Sequence, residues 1–232
     1  MNFLEELKKI NVFLSDKEAQ QFELYYHRLI EVNQVMNLTA IIEKEEVYRK
    51  HFLDSLEILR VLDLNESFTL CDVGSGAGFP SIPLAIVHPQ VNVTIIDALN
   101  KRIRFLNDLI KDLDLKKVEA FHARAEDYAK EKRESFDVVT ARAVARLNVL
   151  AELCLPLTKV GGRFIAMKGS SGLEEIEEAS QAIQNLGGKI TRVEQFTLPE
   201  EKDGRMIIVI EKVKQTPLKY PRSFNKIKER PL

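Results

Sequence analysis

The N-terminal part of the chain repeats apolar residues with the period of a helix. Phe22, Tyr26 and Leu29 recur at intervals of three and four residues and would share one helix face. Ser15 or Asp16 can cap the helix that carries them. The pattern predicts three helices: Asn2–Leu14, Asp16–Met36 and, after a break at Asn37-Leu38-Thr39, about Lys44–Leu62. Residues 1–65 are therefore predicted to form a helical cap packed on the core.

Beyond this cap, short apolar runs alternate with amphipathic stretches. The runs are rich in β-branched residues and bounded by turn residues, which is typical of strands. Five of them are separated by other elements: Thr69–Val73, Asn92–Asp97, Lys117–His122, Phe136–Ala141 and Gly162–Met167. The helices expected among and after them are Pro80–His88, Lys101–Leu113, Arg146–Leu157 and Gly172–Leu186. Two closing strands, Gly187–Leu198 and Met206–Glu211, have no helix between them.

This order of elements predicts the fold class. Strands that alternate with helices form a parallel sheet covered on both faces, and two strands without a helix between them form an antiparallel hairpin. We therefore expect an α/β fold of the Rossmann-like type found in class I S-adenosylmethionine (SAM) dependent methyltransferases. Its sheet would be seven-stranded and mostly parallel, with one antiparallel edge strand. Residues 66–212 would form this SAM-binding core and 213–232 a basic C-terminal tail.

A glycine-rich turn follows the first predicted strand. Gly74, Gly76 and Gly78 stand at alternate positions and Pro80 begins a helix, a pattern that lets a nucleotide approach the backbone. The same pattern also occurs in purely structural strand–helix turns. Asp97 ends the second strand 19 residues beyond Gly78, where a carboxylate would accept hydrogen bonds from ribose hydroxyls. Alternatively, Asp97 begins the following helix.

Polar residues also follow the later strands, at the same carboxyl edge of the sheet. Ala125 and Glu126 could read the edge of an adenine ring, although Glu126 could equally be an acid in the first turn of a helix. Arg142 and Arg146 suit phosphate contacts or stacking on a base, or ion pairs with nearby acids. Other basic residues expected on this rim are Lys101, Arg102 and Lys168.

Charge is distributed unevenly along the chain. The net charge is −1, but Lys212–Leu232 holds seven basic residues and one acid, so the body before it is acidic. A basic tail indicates an anionic macromolecular partner, or simply a solvated charged segment. Two cysteines are too few for a disulfide scaffold and favour a reducing cytoplasm. Val73–Ile96 lacks formal charge, but its three glycines and three prolines argue against a membrane span.

Some catalytic devices are missing from the sequence. No Asn/Asp-Pro-Pro-aromatic loop follows the fourth strand, and such loops handle the exocyclic amines of adenine or cytosine. Cys71 lies inside a predicted strand and Cys154 inside a predicted helix, so neither is placed as a nucleophile. A ring nitrogen with a free lone pair, such as N7 of guanine, needs neither device. The enzyme would then supply mainly in-line positioning. No metal site is predicted.

Several motifs resemble those of the 16S ribosomal RNA guanine-N7 methyltransferases, the RsmG or GidB family. They are Asn37-Leu38-Thr39, His51-Phe-Leu-Asp54-Ser55, Asp72–Pro83, Asp97-Ala-Leu-Asn-Lys101-Arg102 and Arg142-Ala143, with Thr216–Arg222 similar to the tail of Gram-positive members. The resemblance implies SAM as cofactor and methylation of guanine 527 in the 530 loop. It also implies 16S rRNA as partner, in the 30S subunit or an assembly intermediate. We expect a cytoplasmic monomer with no membrane contact.

The glycine loop, the rim residues and the resemblance together give the expected site. The expected cofactor-binding residues are Asp72, Gly74, Gly76, Gly78, Phe79, Asp97, Ala125, Glu126 and Arg142. The expected catalytic residues are Arg142, His51 and Lys168, and the expected RNA-binding residues are Lys101, Arg102, Arg146, Lys168 and Arg222. The microscopic roles of His51 and Asp54 stay open. Two other functions also stay open, a small-molecule SAM methyltransferase and a non-catalytic module that binds SAM and RNA.

Overall fold

The computed structural model describes residues 1–142 and 144–232, so Ala143 of the expected Arg142-Ala143 motif lies outside the described residues. The chain begins with helical segments that pack on the rest. They are α1 (Phe3–Lys9), α2 (Asp16–Met36), α3 (Lys44–Val47), a π-helical segment (Tyr48–Leu53), α4 (Asp54–Leu56) and a 3₁₀ turn (Glu57–Arg60). Ser15 and Glu18 form a reciprocal capping box at the start of α2.

A seven-stranded sheet follows. Its strands are β1 (Thr69–Val73), β2 (Asn92–Asp97), β3 (Val118–His122), β4 (Phe136–Arg142), β5 (Thr158–Lys168), β6 (Gly188–Thr197) and β7 (Gly204–Lys212). The remaining helices are α5 (Ser81–Val87), α6 (Asn100–Asp112), α7 (Ala125–Glu131), α8 (Leu147–Cys154), α9 (Gly172–Asn185) and α10 (Phe224–Glu229).

The strand order is β3-β2-β1-β4-β5-β7-β6, and β1 to β5 pair in parallel. The expected α/β fold is confirmed, including the hairpin at one edge. Within that hairpin the antiparallel strand is β7, which lies between β5 and β6. The connection through α9 places β6 parallel to β5, with one strand position left between them. The chain then turns back into that position, so β7 runs antiparallel to both neighbours.

The sheet has its topological switch point beside β1. Val73 at the end of β1 pairs with Ile96 of β2, and Asp72 pairs with Thr140 of β4 on the other side. The segments leaving β1, β2 and β4 therefore emerge at one edge and at nearly one level. Open α/β sheets bind ligands in the crevice at such a point.

An aromatic cluster joins the N-terminal helices to the glycine-rich turn. Tyr25 of α2 is fully buried, and its hydroxyl donates a hydrogen bond to the carbonyl oxygen of Ala77 at 2.6 Å. Its ring stacks on Phe79 with centroids 5.4 Å apart and contacts Phe52 at 5.0 Å. The helical cap thus supports the turn from behind, on the side away from solvent.

The C-terminal segment also packs on the core. Tyr220 and Ile227 are buried, and the ammonium of the buried Lys212 forms an ion pair with Glu134 at 3.0 Å. This contrasts with a solvated tail, because apolar residues at intervals along the segment fix it against α8 and its neighbours. Among the described helices, none combines the length and apolar composition that crossing a bilayer requires.

Candidate functional site

A cavity of about 490 Å³ opens at the switch point of the sheet. Its volume is in the range of small-molecule and cofactor sites. Of the predicted cofactor residues it is lined by Gly74, Gly76, Phe79, Asp97, Ala125, Glu126 and Arg142. His51 and Arg102 line it as well. Sequence reasoning did not assign several other residues that line the cavity, among them Leu38, Thr39, Leu99, Arg124, Val144 and Phe224.

A hydrogen bond joins the glycine turn to the end of β2. Gly76 has φ +64° and its amide donates to Oδ2 of Asp97 at 3.3 Å. Asp97 also accepts from the Leu99 amide at 2.8 Å and pairs with Arg102 at 3.2 Å. Its carboxylate is almost completely buried at the cavity wall. Asp97 is therefore placed both to start the α6 segment and to face a ligand, so the two alternatives are compatible.

Asp72 and Gly78 are not among the described residues that line the cavity. Asp72 is fully buried and accepts a hydrogen bond from the Ser81 amide at 3.3 Å. Burial raises its pKa to about 7, although Ser81 and Arg142 act in the opposite direction. A Cβ at Gly78 would lie 2.7 Å from Ile82 and 2.8 Å from the Tyr25 hydroxyl. Both residues have contacts behind the turn, and their expected role in cofactor binding stays a prediction.

Arg142 is fixed at the cavity by contacts on several sides. Its Nη1 forms an ion pair with Asp54 Oδ2 at 2.8 Å, and its Nη2 lies 3.3 Å from Nδ1 of His51. The guanidinium carbon is 5.1 Å from the centre of the Phe79 ring, a cation–π distance. The charged group is thus held in one orientation beside an aromatic wall, as base recognition requires.

His51 is held as a neutral imidazole. Burial and then the positive charge of Arg142 lower its pKa to about 3. Because Arg142 can only donate, His51 Nδ1 accepts, and Nε2 donates to the Thr39 hydroxyl at 2.8 Å. The ring also stacks on Phe79 with centroids 4.5 Å apart. These contacts fix the orientation of the ring, and the expected catalytic role of His51 stays a prediction.

A change of helix type brings His51 to the cavity and Asp54 to Arg142. The sequence predicts one regular helix over about Lys44–Leu62, whereas Tyr48–Leu53 is π-helical and a 3₁₀ turn follows α4. Such π segments are rare and frequently occur at functional sites. Asp54 also faces Nε of Arg205 at 3.4 Å. Sequence reasoning missed Arg205, because nothing along the chain relates β7 to this helix.

Three of the predicted basic residues form ion pairs with acids of the same chain. Lys168 pairs with Glu175 at 2.7 Å, with both side chains less than a tenth exposed, and donates to the Ala145 carbonyl oxygen. The ammonium group is thus engaged within the protein, and the expected catalytic and RNA-binding roles of Lys168 stay predictions. Arg222 is likewise held by the buried Glu152, and its expected RNA-binding role stays a prediction. Arg146 pairs with Glu178 at the surface and does not line the cavity within the described part of the chain.

Other basic groups stay at the rim. Arg102 lines the cavity, and Lys101 is exposed next to it with its ammonium donating to the Met36 carbonyl oxygen at 3.1 Å. Arg124, which follows β3, lines the cavity as well. Within residues 1–142 and 144–232, no group of His, Cys, Asp and Glu is arranged to hold a metal ion.

Comparison with known proteins gives a family match. The family model "GidB: rRNA small subunit methyltransferase G" matches residues 18–203. A protein of Staphylococcus carnosus (strain TM300) named ribosomal RNA small subunit methyltransferase G is 53% identical over 232 residues, 99% of this chain and 97% of that protein. A protein of Staphylococcus aureus (strain Newman) with the same name is 54% identical over 219 residues, 94% and 92% of the two chains.

Solved structures show the same fold at low identity. TYW2 of M. jannaschii, in complex with AdoMet, aligns with a TM-score of 0.53 at 20% identity, over 64% of this chain and 70% of that one. TrmN of Thermus thermophilus aligns with a TM-score of 0.55 at 17% identity, over 69% and 48% of the two chains. At these identities the similarity shows the fold alone.

Proposed function

Since the chain belongs to the GidB family of rRNA small subunit methyltransferases, we propose that it methylates N7 of a guanine in the 530 loop of 16S rRNA. The observation that carries the proposal is the position of Arg142. It stands over Phe79 in the same cavity that the glycine turn and Asp97 line. A guanine that binds at Arg142 would therefore lie in the same cavity as a nucleoside cofactor at the glycine turn. SAM is the cofactor of the family.

The residues present fit SAM. Gly76 has a positive φ and no described atom within 4 Å of a Cβ, so it leaves room for a ligand against the backbone, and Gly74 lines the same cavity. Asp97 would accept hydrogen bonds from the ribose hydroxyls, as acids after the second strand do in nucleotide sites. Ala125 and Glu126 line the cavity beyond β3 and would bind the adenine edge. The cofactor supplies an electrophilic methyl group on a sulfonium sulfur.

The reaction requires little proton transfer by the protein. Attack of the guanine N7 lone pair on that methyl carbon would break the C–S bond and would move the positive charge from sulfur to the purine. No proton leaves the base, which agrees with a neutral, hydrogen-bonded His51. The task of Arg142, Phe79 and His51 is to hold the base in line, and positioning can contribute on the order of 7–11 kcal/mol to lowering a barrier.

RNA would approach over the rim of the cavity. Lys101, Arg102 and Arg124 are placed to bind phosphates or stack on bases. Four lysines of the C-terminal segment, Lys214, Lys219, Lys226 and Lys228, are exposed and add positive charge. Because the rest of the body is acidic, we expect the substrate to be rRNA folded in the 30S subunit or an assembly intermediate. The protein acts as a monomer in the cytoplasm.

The test is methyl transfer from labelled SAM to 30S subunits of a strain that lacks the enzyme, followed by mapping of the methylated nucleotide. Label is expected at N7 of one guanine of 16S rRNA. Arg142→Lys keeps the charge but loses the planar fork, so the rate should fall at least about tenfold. The matched control is Arg192→Lys, at an exposed arginine paired with Glu194, which should leave the rate unchanged.

The outcome separates the alternatives. Label on a small molecule with none on rRNA would identify a small-molecule methyltransferase. SAM and rRNA binding without any transfer would identify a binding module. Either result, or equal rates for Arg142→Lys and wild type, would contradict the proposal.

A further inference from the structure

The C-terminal strap, residues 213–232, is a distinct feature of this chain. It lies beyond residues 18–203, which the family model matches, although the S. carnosus relative aligns with 99% of the chain. The strap contains α10 and closes against α8. Part of its basic charge is paired with an acid of the core, so charge alone does not explain the presence of the strap.

Buried polar contacts anchor the strap. The backbone N–H of Arg222 and its Nε both donate to Glu152 Oε1 at 2.8 Å, and Glu152 is 0% exposed on α8. Arg133 donates to the carbonyl oxygens of Thr216 and Tyr220 at 2.6 and 2.8 Å. Contacts of this kind fix a chain path, because a buried carboxylate without its partner is costly.

These anchors bring Phe224 to the wall of the cavity. Ile227, one turn later in α10, is fully buried and fixes the helix. Phe224 is half-buried, lines the cavity and lies 5.7 Å from the guanidinium carbon of Arg124. Arg124 directly precedes Ala125, so the ring stands at the end of the cavity after β3. Leu153 of α8, the neighbour of Glu152, lines the cavity as well.

We propose that Phe224 binds the adenine ring of SAM, and that docking of the strap is coupled to cofactor binding. The proposal rests on the proposed SAM arrangement, in which Ala125 and Glu126 face the adenine edge. They would contact the polar edge of the ring, whereas Phe224 supplies an aromatic surface for it. Coupling is reciprocal: a strap that improves SAM affinity is itself held more firmly when SAM is bound.

Calorimetry on the full chain tests the contact. Three probes separate the parts of the cofactor: SAM, 5′-methylthioadenosine, which lacks the amino-acid part, and L-methionine, which lacks the nucleoside. Phe224→Ala should weaken SAM and 5′-methylthioadenosine by about tenfold each, the range of one aromatic–base stack. Phe224→Tyr should restore both. The matched control is Phe13→Ala, because Phe13 is 72% exposed between α1 and α2 and remote from the cavity lining.

The results that overturn the inference are distinct from those that overturn the function. If wild type binds SAM and a folded Phe224→Ala binds it equally well, the strap has no part in the site. A loss for SAM without a loss for 5′-methylthioadenosine would refute the adenine contact. If wild type itself does not bind SAM, the cofactor assignment fails together with the strap.

Hydrogen exchange tests the coupling without any variant. The amides of Ile227 and Arg230 are bonded within the strap to Ser223 and Lys226. SAM and 5′-methylthioadenosine should slow their exchange at least about threefold, whereas L-methionine should not, because it lacks the nucleoside. Unchanged exchange at saturating SAM would refute the coupling.

Discussion

The Nη1 atom of Arg142 lies 2.8 Å from Oδ2 of Asp54, while the other carboxylate oxygen of Asp54 faces Nε of Arg205 at 3.4 Å. One largely buried acid thus joins β4, β7 and the helical cap. Burial raises the pKa of Asp54 above its ordinary value, although both arginines act in the opposite direction. The orientation of Arg142 at the cavity therefore depends on this carboxylate.

Asp54→Asn should impair methyl transfer more than cofactor binding. The substitution keeps the shape but removes the charge that orients Arg142, and breaking a buried pair costs about 3–5 kcal/mol where the remaining charge cannot reach solvent. We expect the transfer rate to fall at least about tenfold and the SAM dissociation constant to change by less than about threefold. Single-turnover rates and calorimetry measure the two effects.

The control for Asp54 is Asp127→Asn, which removes an acid from an exposed pair with Lys130. Such pairs contribute about 0–1 kcal/mol, so both readouts should stay at wild-type values. Normal methyl transfer in a folded Asp54→Asn protein would show that Arg142 keeps its orientation without the ion pair.

His51 should make stability depend on pH. Its pKa is lowered to about 3 in the folded protein, mainly by burial, against about 6.5 in an unfolded chain. Between these values the unfolded state binds a proton that the folded state does not, so stability falls as pH falls from about 6.5. The slope is at most about 1.4 kcal/mol per pH unit.

Urea unfolding of wild type and His51→Gln at pH 7.5 and pH 5.0 isolates this contribution. The stability advantage of wild type over the variant should be about 2 kcal/mol smaller at pH 5.0. His27→Gln is the control, because His27 is exposed and pairs with Glu23 at the surface. A wild-type advantage that is the same at both pH values would mean that His51 is protonated in the folded state too.

Much of the site could be predicted because the order of the strands determines which residues meet. Parallel strands end at one edge of a sheet, so residues that directly follow strands, such as Gly76, Asp97 and Arg142, meet there. The partners of basic residues could not be predicted in this way. Lys168 and Arg222 have the local sequence of solvated groups, and only the tertiary fold brings buried acids to them.

The rest of the site depends on distant packing. A π-helical segment has no periodicity that separates it from an α-helix over six residues, so the orientation of His51 could not be predicted. Phe224 follows a charged, proline-containing stretch, and only the anchors of the strap carry it to the cavity.

Two glycines of the turn should respond to substitution in opposite ways. Gly78 has φ +106°, and a Cβ there would lie 2.7 Å from Ile82. Gly78→Ala should therefore cost at least about 2 kcal/mol of stability. Gly76 has φ +64° and no described atom within 4 Å of a Cβ, so Gly76→Ala should cost only about 1 kcal/mol.

For SAM binding the order of the two reverses. Gly76 lines the cavity, and its added methyl would enter the space proposed for the cofactor. We expect about tenfold weaker SAM binding for Gly76→Ala, while a folded Gly78→Ala protein should bind nearly normally. Chemical denaturation measures the stability of both variants, and calorimetry measures their SAM affinity. A SAM affinity that Gly76→Ala leaves unchanged would exclude the proposed position of the cofactor.

Arg222 separates an anchored strap from an RNA-binding tail. Glu152 is 0% exposed and its charge is balanced by Arg222, so Arg222→Ala should lower stability by about 3–5 kcal/mol. Adding Glu152→Gln should recover part of the loss, because no buried charge then remains unpaired. Lys226→Ala, at an exposed lysine of the same strap, should have almost no effect on thermal unfolding. If Arg222 instead bound phosphate, its loss would leave the unfolding temperature unchanged and reduce the salt dependence of rRNA binding.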